Sequence, residues 1–439
     1  MRAMINGYDL LMKRLLFLLC CITATLIGHA QSASLADSLA ADLRMIRQAT
    51  AQHTDLWGID LYGPLLFVDP ETRVAYANEP DSAGLFQPCG SLYAGHLPEE
   101  VLTANTATTW GGRTWAMILL PLPNDPTDRT VLLAHELFHC AQPRLHFTGH
   151  GGDNAHLDTE KGRVLLRLEL EALRAALRAT TPDERRSHLT HALAFRTERH
   201  RRFPGATESE HALERNEGLA EYTGQTMASM SADRARAYLI ARIDALLSKP
   251  SFVRSFAYAT LPAYGRLAAD TAPDWHRAIT DETPLTDYLA RLFGLALPDS
   301  LPASWIAAYH GDTIIRQEAA REAARRTLID SLRACLVDGP HLTLPLRSMH
   351  FSFNPNSLIP LDTLGTVYPQ LQLTDEWGTL DVTDGGALIS PTWTTITVPA
   401  PHTTTSTEAH GSGWHLTLTP GYIIERRAKD YIVKAQSPE

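Results

Sequence analysis

Two histidines and a glutamate at residues 135–139, which read His-Glu-Leu-Phe-His, are the residues of this chain best suited to chemistry. If this segment is helical, His135 and His139 lie one turn apart on the same face, so both imidazoles can bind one metal ion. Glu136 can then reach a water molecule on that metal and take its proton. The spacing therefore predicts two ligands for Zn²⁺ and a general base within little more than one helical turn.

The residues around this segment favour a buried helix. Asp125 or Asp128 can cap its N-terminus, and Pro143 ends it just past the second histidine. The remaining positions from 131 to 141 are apolar or small. A buried helix that carries two imidazoles and a carboxylate must find partners for them, and a metal ion supplies those partners.

A third protein ligand is expected further along the chain, because catalytic zinc usually has three protein ligands and one open position. Residues 214–224 (ERNEGLAEYTG) predict a helix in which Glu217 and Glu221 are four residues apart. Leu219, Ala220 and Tyr222 indicate that this helix is not solvated. One carboxylate can bind the metal while the other accepts a hydrogen bond from the free ring nitrogen of a ligating histidine.

The HExxH segment followed by a separate NEGLAEY segment (residues 216–222) resembles the gluzincin metallopeptidases. This resemblance implies that His135, His139 and Glu217 bind Zn²⁺, that Glu136 is the general base, and that Glu221 orients a zinc-bound histidine. The two ligand segments are 78 residues apart, from 139 to 217, so an insertion is expected between them. The metzincin pattern is broken by residues 140–145 (CAQPRL), which leaves His146 and His150 as weaker alternative ligands.

A looser resemblance covers residues 57–270. The order VDPETRVAYAN, NTATTW, WAMILLPLP, HELFH, NAHLDTEKGRVLLRLELEAL and NEGLAEYTG is similar to a family of secreted bacterial HExxH proteins of undefined substrate. It implies the fold and the metal rather than a particular reaction.

Zinc peptidases commonly add a tyrosine or histidine that donates a hydrogen bond to the oxyanion. Tyr222, Tyr258 and Tyr264 are the candidates here, and Tyr258 is preferred. It lies in residues 258–265, where Pro262 and Gly265 predict an interruption of the helical pattern. Asn154, His156 and Asp158 precede the next helix and are further candidates for cleft residues, although a helix-capping loop also explains them.

The pattern of apolar residues predicts an α+β protein. A first amphipathic helix is expected at 34–53, strands at 64–68, 74–76 and 115–120, and a long helical segment at 160–201 with a break at 181–182. The strand at 115–120 is equally consistent with an edge strand that pairs with an extended peptide and with a buried core strand. Residues 31–336 are thus predicted to form a mainly helical, zincin-like catalytic domain with a small N-terminal sheet.

From residue 340 the helical pattern of apolar residues gives way to a strand pattern. Thr-rich, alternating runs such as 342–346, 395–398 and 414–418 are separated by turn residues, so residues 340–439 are predicted to form an all-β sandwich or barrel. Residues 399–413 are predicted to be a mobile loop. Recognition of a substrate or surface is one role for this domain, and a passive cap on the catalytic domain is another.

The N-terminus predicts export. Residues 1–30 combine a basic segment, a short apolar run and a small residue for cleavage, with Met12 as an alternative start, which indicates a signal peptide and a secreted or periplasmic protein. Lipidation is disfavoured because the residues before Cys20 and Cys21 are large, and the apolar run is short for a membrane span. A disulfide between Cys89 and Cys140 is one hypothesis for the mature chain.

The sequence as a whole favours an exported zinc metallopeptidase that acts on peptide or protein substrates. The net charge of −10 and the lack of a basic cluster argue against nucleic acid as a partner. The rival interpretation is a catalytically inactive zincin-scaffold binding protein that uses its β domain for recognition.

Overall fold

The computed structural model describes residues 35–149, 151–354 and 357–436. The chain divides into two compact units, Met1–Arg316 and Gln317–Glu439. The expected signal peptide at 1–30 lies outside the described residues. Across those residues the fold is α+β, as predicted, with a mainly helical first part and an all-sheet region from 341 to 435.

A six-stranded sheet forms the early part of the first unit. Its strands are β1 (Leu65–Val68), β2 (Val74–Ala77), β3 (Gln87–Cys89), β4 (Leu92–His96), β5 (Thr106–Trp110) and β6 (Arg113–Leu119). Their order is β3-β4-β2-β1-β6-β5, and only the β1–β6 pair is parallel among the described pairings of this sheet. Strand β6 is therefore an interior strand, which decides between the two interpretations of residues 115–120, and β5 lies at the edge.

The helices of this unit follow the sheet in sequence, except for the first two. They are α1 (35–52), α2 (Thr54–Trp57), α3 (Pro126–Ala141), α4 (Glu160–Arg178), α5 (Pro182–Arg202), α6 (Ala206–Leu213), α7 (Leu219–Met227), α8 (Ala232–Leu247), α9 (Ala257–Ala269), α10 (Leu285–Leu292), α11 (Ala303–Ala308) and α12 (Gly311–Arg333). Leu39, Leu43 and Ile46 bury the apolar face of α1, whereas Leu35 is exposed. The break expected at 181–182 separates α4 from α5, where Thr181 caps α5 through a capping box.

One local prediction was wrong, because α9 runs without interruption through Tyr258, Pro262 and Gly265. Proline removes one backbone donor, but the helix is held by packing, since its residues from 259 to 265 are buried. Gly265 is required by close packing rather than by a turn, because a Cβ there would collide with the rings of Trp275 and Tyr222.

The core of the first unit has three parts. The largest lies among α4, α5, α8 and α9. The second connects α1 and one side of the sheet with α3 and α7, so α3 lies between the sheet and α7. The third covers the other side of the sheet, with Trp115 and Phe86 among its members. The HExxH helix is thus held on both sides by buried apolar contacts.

The second unit is a β sandwich. Its strands are β7 (His341–Pro345), β8 (His350–Phe353), β9 (Ile359–Pro360), β10 (Thr366–Tyr368), β11 (Leu371–Asp375), β12 (Gly378–Val382), β13 (Ala387–Ile389), β14 (Thr395–Pro399), β15 (Thr403–Thr404), β16 (Glu408–Gly411), β17 (Trp414–Leu418), β18 (Tyr422–Arg427) and β19 (Asp430–Ala435). One sheet has the order β18-β19-β7-β14-β13-β10-β9 and the other β15-β16-β17-β12-β11-β8. Inward-facing residues of both sheets share one apolar core.

Two features of this part of the chain differ from the sequence prediction, namely the extent of the loop at 399–413 and the boundary between the two units. Residues 399–413 are not a loop throughout, because they contain all of β15 and β16, and Ala409 of β16 is fully buried. The division between the units falls inside α12, since Ile329 and Leu332 pack against the smaller core of Leu336, Leu361 and Val367. No helix among the described residues has the length and apolar character that crossing a membrane requires.

Candidate metal centre

Helix α3 presents the HExxH residues. Asp125 caps it, as Oδ1 accepts hydrogen bonds from the backbone N–H groups of Thr127 (2.7 Å) and Asp128 (3.2 Å), and Pro126 occupies the first turn. The helix ends at Ala141, just before Pro143, as the sequence predicted. Apolar residues bury its other faces, which fixes the rotation of the helix and hence the direction of both imidazoles.

Glu217 reaches the same place from a different direction. It belongs to a π-helical turn, Glu214–Gly218, between α6 and α7. Helix α7 approaches α3 closely at Gly224, where a Cβ would lie 2.5 Å from the carbonyl oxygen of Val131. Short π turns inside α-helices are frequent at functional sites, because they redirect side chains within one continuous helix.

Three donor atoms converge where these elements meet. His135 Nε2 and His139 Nε2 are 3.0 Å apart, and Glu217 Oε2 lies 3.2 Å from the first and 3.3 Å from the second. Tetrahedral zinc with bonds of about 2.0–2.1 Å requires its ligand atoms to be about 3.3–3.4 Å apart. The three atoms are thus spaced as ligands of one ion.

Comparisons with protein-family models, curated proteins and solved structures found no match for this chain. The chemistry that the site can perform therefore has to follow from the positions and contacts of its own residues.

The outer nitrogen of each imidazole has an acceptor beside it. His135 Nδ1 lies 3.3 Å from Glu221 Oε2, and His139 Nδ1 lies 2.8 Å from Gln142 Oε1. The Gln142 amide is oriented by its other end, which donates to the carbonyl oxygen of Asn216 at 3.0 Å. Both Nδ1 atoms must therefore be donors, which leaves the inner Nε2 atoms as lone-pair acceptors.

Two imidazole lone pairs and a carboxylate oxygen facing one another repel unless a cation lies between them. Burial by itself lowers the pKa of His135, but hydrogen bonds to Glu217 and Glu221 outweigh burial and raise it to about 10. Burial likewise raises the pKa of Glu217, yet its contacts with His135 and His139 hold it well below its usual range. The donor set fits a borderline divalent cation such as Zn²⁺.

Glu136 lies beside this centre with an oxygen that has no hydrogen-bond partner. Its Oε2 is buried and makes no hydrogen bond to any residue in the described ranges. Burial raises the pKa of the Glu136 carboxyl group, although His135 and His139 oppose the shift. An unpaired buried carboxylate oxygen costs free energy, so it remains available as an acceptor beside the three donor atoms.

Tyr258 is the one of the three candidate tyrosines that lies in the centre. Its hydroxyl donates to Glu217 Oε2 at 2.5 Å, and its ring stacks on His135 with centroids 5.5 Å apart. Burial and the Glu217 carboxylate raise the pKa of Tyr258, so it remains a donor. Tyr264 instead donates to Glu169 at 2.9 Å, and Tyr222 packs against Trp275.

Other residues that the sequence placed near the site have structural contacts elsewhere. His156 Nε2 lies 2.7 Å from Glu210 Oε1, and Asp158 accepts hydrogen bonds from Ser251 and the following backbone N–H. His146 is exposed and is not part of the donor cluster, and His150 lies outside the described residues.

The three cysteines in the described residues, Cys89, Cys140 and Cys335, are free. The suggested disulfide between the first two is therefore not formed in the structure. Burial raises the pKa of Cys140 to about 12, so its thiol stays protonated next to His139 in the chain.

A buried charge network supports the π turn and was not predicted. Arg196 donates to both oxygens of Glu214 at 2.9 and 2.6 Å and to Glu169 at 2.8 Å, and all three side chains are fully buried. Thr260 of α9 also donates to Glu214, at 2.5 Å. These contacts fix the turn three residues before Glu217. The sequence did contain one indication of this network, because Glu169 stands between two leucines on a predicted helix, and a lone charged residue among apolar ones suggests a buried charge.

Proposed function

We propose that this protein is an exported zinc-dependent peptidase of the gluzincin type. The observation that carries the proposal is the convergence of His135 Nε2, His139 Nε2 and Glu217 Oε2 within 3.0–3.3 Å of one another, beside the unpaired oxygen of Glu136. Bound Zn²⁺ would polarise a peptide carbonyl group and make a bound water molecule more acidic. Three protein donors leave a fourth position open, which favours a catalytic over a closed structural site.

Glu136 serves as the general base in this proposal. Its raised pKa suits proton transfer, because a carboxylate that is too acidic takes a proton poorly from water. It takes one proton as the water oxygen attacks the carbonyl carbon, and it delivers that proton to the departing amine nitrogen as the C–N bond breaks. The unpaired Oε2 keeps an acceptor free for this transfer.

Glu221 and Gln142 act through the histidines in this proposal. Their contacts with His135 Nδ1 and His139 Nδ1 hold each ring with Nε2 inward. Tyr258 has two roles in this proposal. It positions Glu217 in the substrate-free site, and after a small rotation about its side-chain bonds it can donate to the oxyanion of the attacked carbonyl.

The decisive experiment compares Glu136→Gln with the wild-type full chain. The isosteric amide cannot accept a proton, so hydrolysis of a fluorogenic peptide library should fall by about 10²–10⁴ while zinc content stays unchanged. His146→Ala, which removes an exposed histidine near the same helix, is the matched control and should keep full activity.

Hydrolysis by Glu136→Gln within about threefold of wild type would exclude the mechanism, since loss of a general base costs at least about 10². A wild-type chain that binds zinc but cleaves no peptide in the library would favour the rival function, a binding protein that keeps the scaffold and recognises its partner through the β domain.

A further inference from the structure

We propose a second Zn²⁺ site on the β sandwich, formed by Glu408, His410 and His415 of the β16–β17 hairpin. The three residues lie far along the chain from the HExxH segment, in the other compact unit, and the proposal does not depend on the peptidase function. Their ligand atoms all lie within 4.8 Å of one another.

Strand alternation places the three side chains on one face. Residues 408 and 410 of β16 are exposed while Ala409 between them is buried, and His415 of β17 precedes the buried Leu416. The register pairs His410 directly with His415, and it pairs Glu408 with the next outward position, residue 417. Glu408 is therefore a diagonal neighbour of His415, within reach of a shared ion.

The imidazoles are already arranged as a pair. The rings of His410 and His415 are stacked, with centroids 4.3 Å apart and planes inclined by 10°. Glu408 Oε2 lies 3.7 Å from His410 Nε2. Ligands of one tetrahedral zinc ion are about 3.3–3.4 Å apart, so the exposed side chains of Glu408 and His410 must rotate to close the site, and the stacked rings must turn until their nitrogens converge.

His415 Nε2 supplies a second, independent observation. This nitrogen is buried although the residue as a whole is only partly buried, and no group in the described part of the chain forms a hydrogen bond with it. A buried ring nitrogen without a partner is costly. Coordination of a cation held between it, His410 and Glu408 removes that cost.

The donor set selects the ion. Two imidazoles and one carboxylate suit Zn²⁺, whereas Ca²⁺ and Mg²⁺ prefer sites made of oxygen ligands. All three ligands come from eight consecutive residues, 408–415, so one ion joins the two strands of the hairpin. Because Glu408 and His410 face solvent, the remaining coordination position is open to water or to a donor from another molecule.

The test counts zinc in the full chain by equilibrium dialysis followed by mass spectrometry. The wild type should bind two equivalents, and His410→Ala and His415→Ala should each bind one. Glu408→Gln should weaken the second equivalent at least tenfold. His350→Ala is the matched control, because it removes an exposed histidine from β8 at the opposite edge of the same sheet, and it should bind two.

Repeating the series in a His139→Ala background separates the two sites. The background alone should bind one equivalent, and adding His410→Ala should abolish binding. If the HExxH site does not bind zinc, His139→Ala will bind as many equivalents as the wild type, and His410→Ala will still lose one. Wild-type stoichiometry and affinity in both His410→Ala and His415→Ala, with unchanged circular dichroism, would overturn the second site.

Discussion

Replacing Glu221 with glutamine tests whether the residue behind a histidine, as well as the ligands themselves, sets the affinity for zinc. Glutamine keeps the size and one acceptor oxygen of the side chain but removes its negative charge. Changes to groups that hold a zinc-bound histidine typically cost 10- to 100-fold in metal affinity, or about 1.4–2.8 kcal/mol.

The structure favours the upper end of that range. The Glu221 side chain is only 4% exposed, so solvent screens its charge weakly. Its second oxygen lies 3.5 Å from Arg242 and accepts a hydrogen bond from Gln225 at 3.1 Å. Without the carboxylate, His135 loses the attraction of a buried negative charge, whereas Arg242, whose side chain is 43% exposed, adds only a repulsion that solvent screens. We therefore expect zinc to bind about 100-fold more weakly.

Competition with a chromophoric chelator at fixed pH measures this change directly. Gln225→Met is the matched control, because it removes only one hydrogen bond to Glu221 and keeps the charge. Its effect on zinc affinity should be clearly smaller than that of Glu221→Gln, since it removes one hydrogen bond to the carboxylate and leaves the charge in place. If Glu221→Gln binds zinc within threefold of wild type, the carboxylate does not support His135 in the way the geometry indicates.

Three further outcomes are expected. Burial lowers the pKa of His211 from 6.5 to about 3, so as pH falls through 6.5 only the unfolded chain binds a proton at this residue, and the folded state loses stability. Between pH 7 and 5, the free energy of unfolding of His211→Gln should therefore fall by about 2 kcal/mol less than that of wild type, as measured by chemical denaturation. Gly224→Ala should force α7 away from Val131, which should weaken zinc binding and lower the free energy of unfolding by about 1–3 kcal/mol. Gly63→Ala is the control, because its new Cβ enters open space, and it should change neither the zinc affinity measured by chelator competition nor the stability measured by denaturation. Tyr258→Phe should lower kcat about 10²-fold at saturating zinc, and an unchanged kcat there would restrict this residue to positioning Glu217.

The extent of helix α3 could be predicted from sequence to within one turn. Its signals are local, namely a capping aspartate at 125 or 128 and the proline at 143, and local signals do not depend on the rest of the fold; the structure selects Asp125. The positions of the donor atoms could not be predicted from such local signals alone. Glu217 and Glu221 share a helical face by spacing, but which of them meets the inner nitrogens depends on the close approach of α7 to α3 at Gly224.

Features that rest on contacts between distant residues were not predicted. Gln142 and Asn216 orient His139 through a chain of hydrogen bonds across 74 positions, and no pattern within either segment encodes it. Pro262 indicated a helix break, but burial of its neighbours keeps α9 continuous. Residues 399–413 are rich in threonine and histidine, and only pairing with β17 makes residues 408–411 a strand.

The π turn at Glu214–Gly218 also lets one helical rod carry two unrelated faces. An α-helix advances about 100° per residue, so the extra residue of a π turn offsets everything before it from everything after it by about that angle. Residues upstream follow the geometry of the arginine network around Arg196, and residues downstream follow that of the histidines on α3. A one-residue deletion inside the turn would keep every side chain of α6 and α7 yet bring the two faces out of phase, whereas substitutions on one face leave the angular setting of the other intact. The turn thus separates the requirements of folding from those of chemistry along a single stretch of sequence.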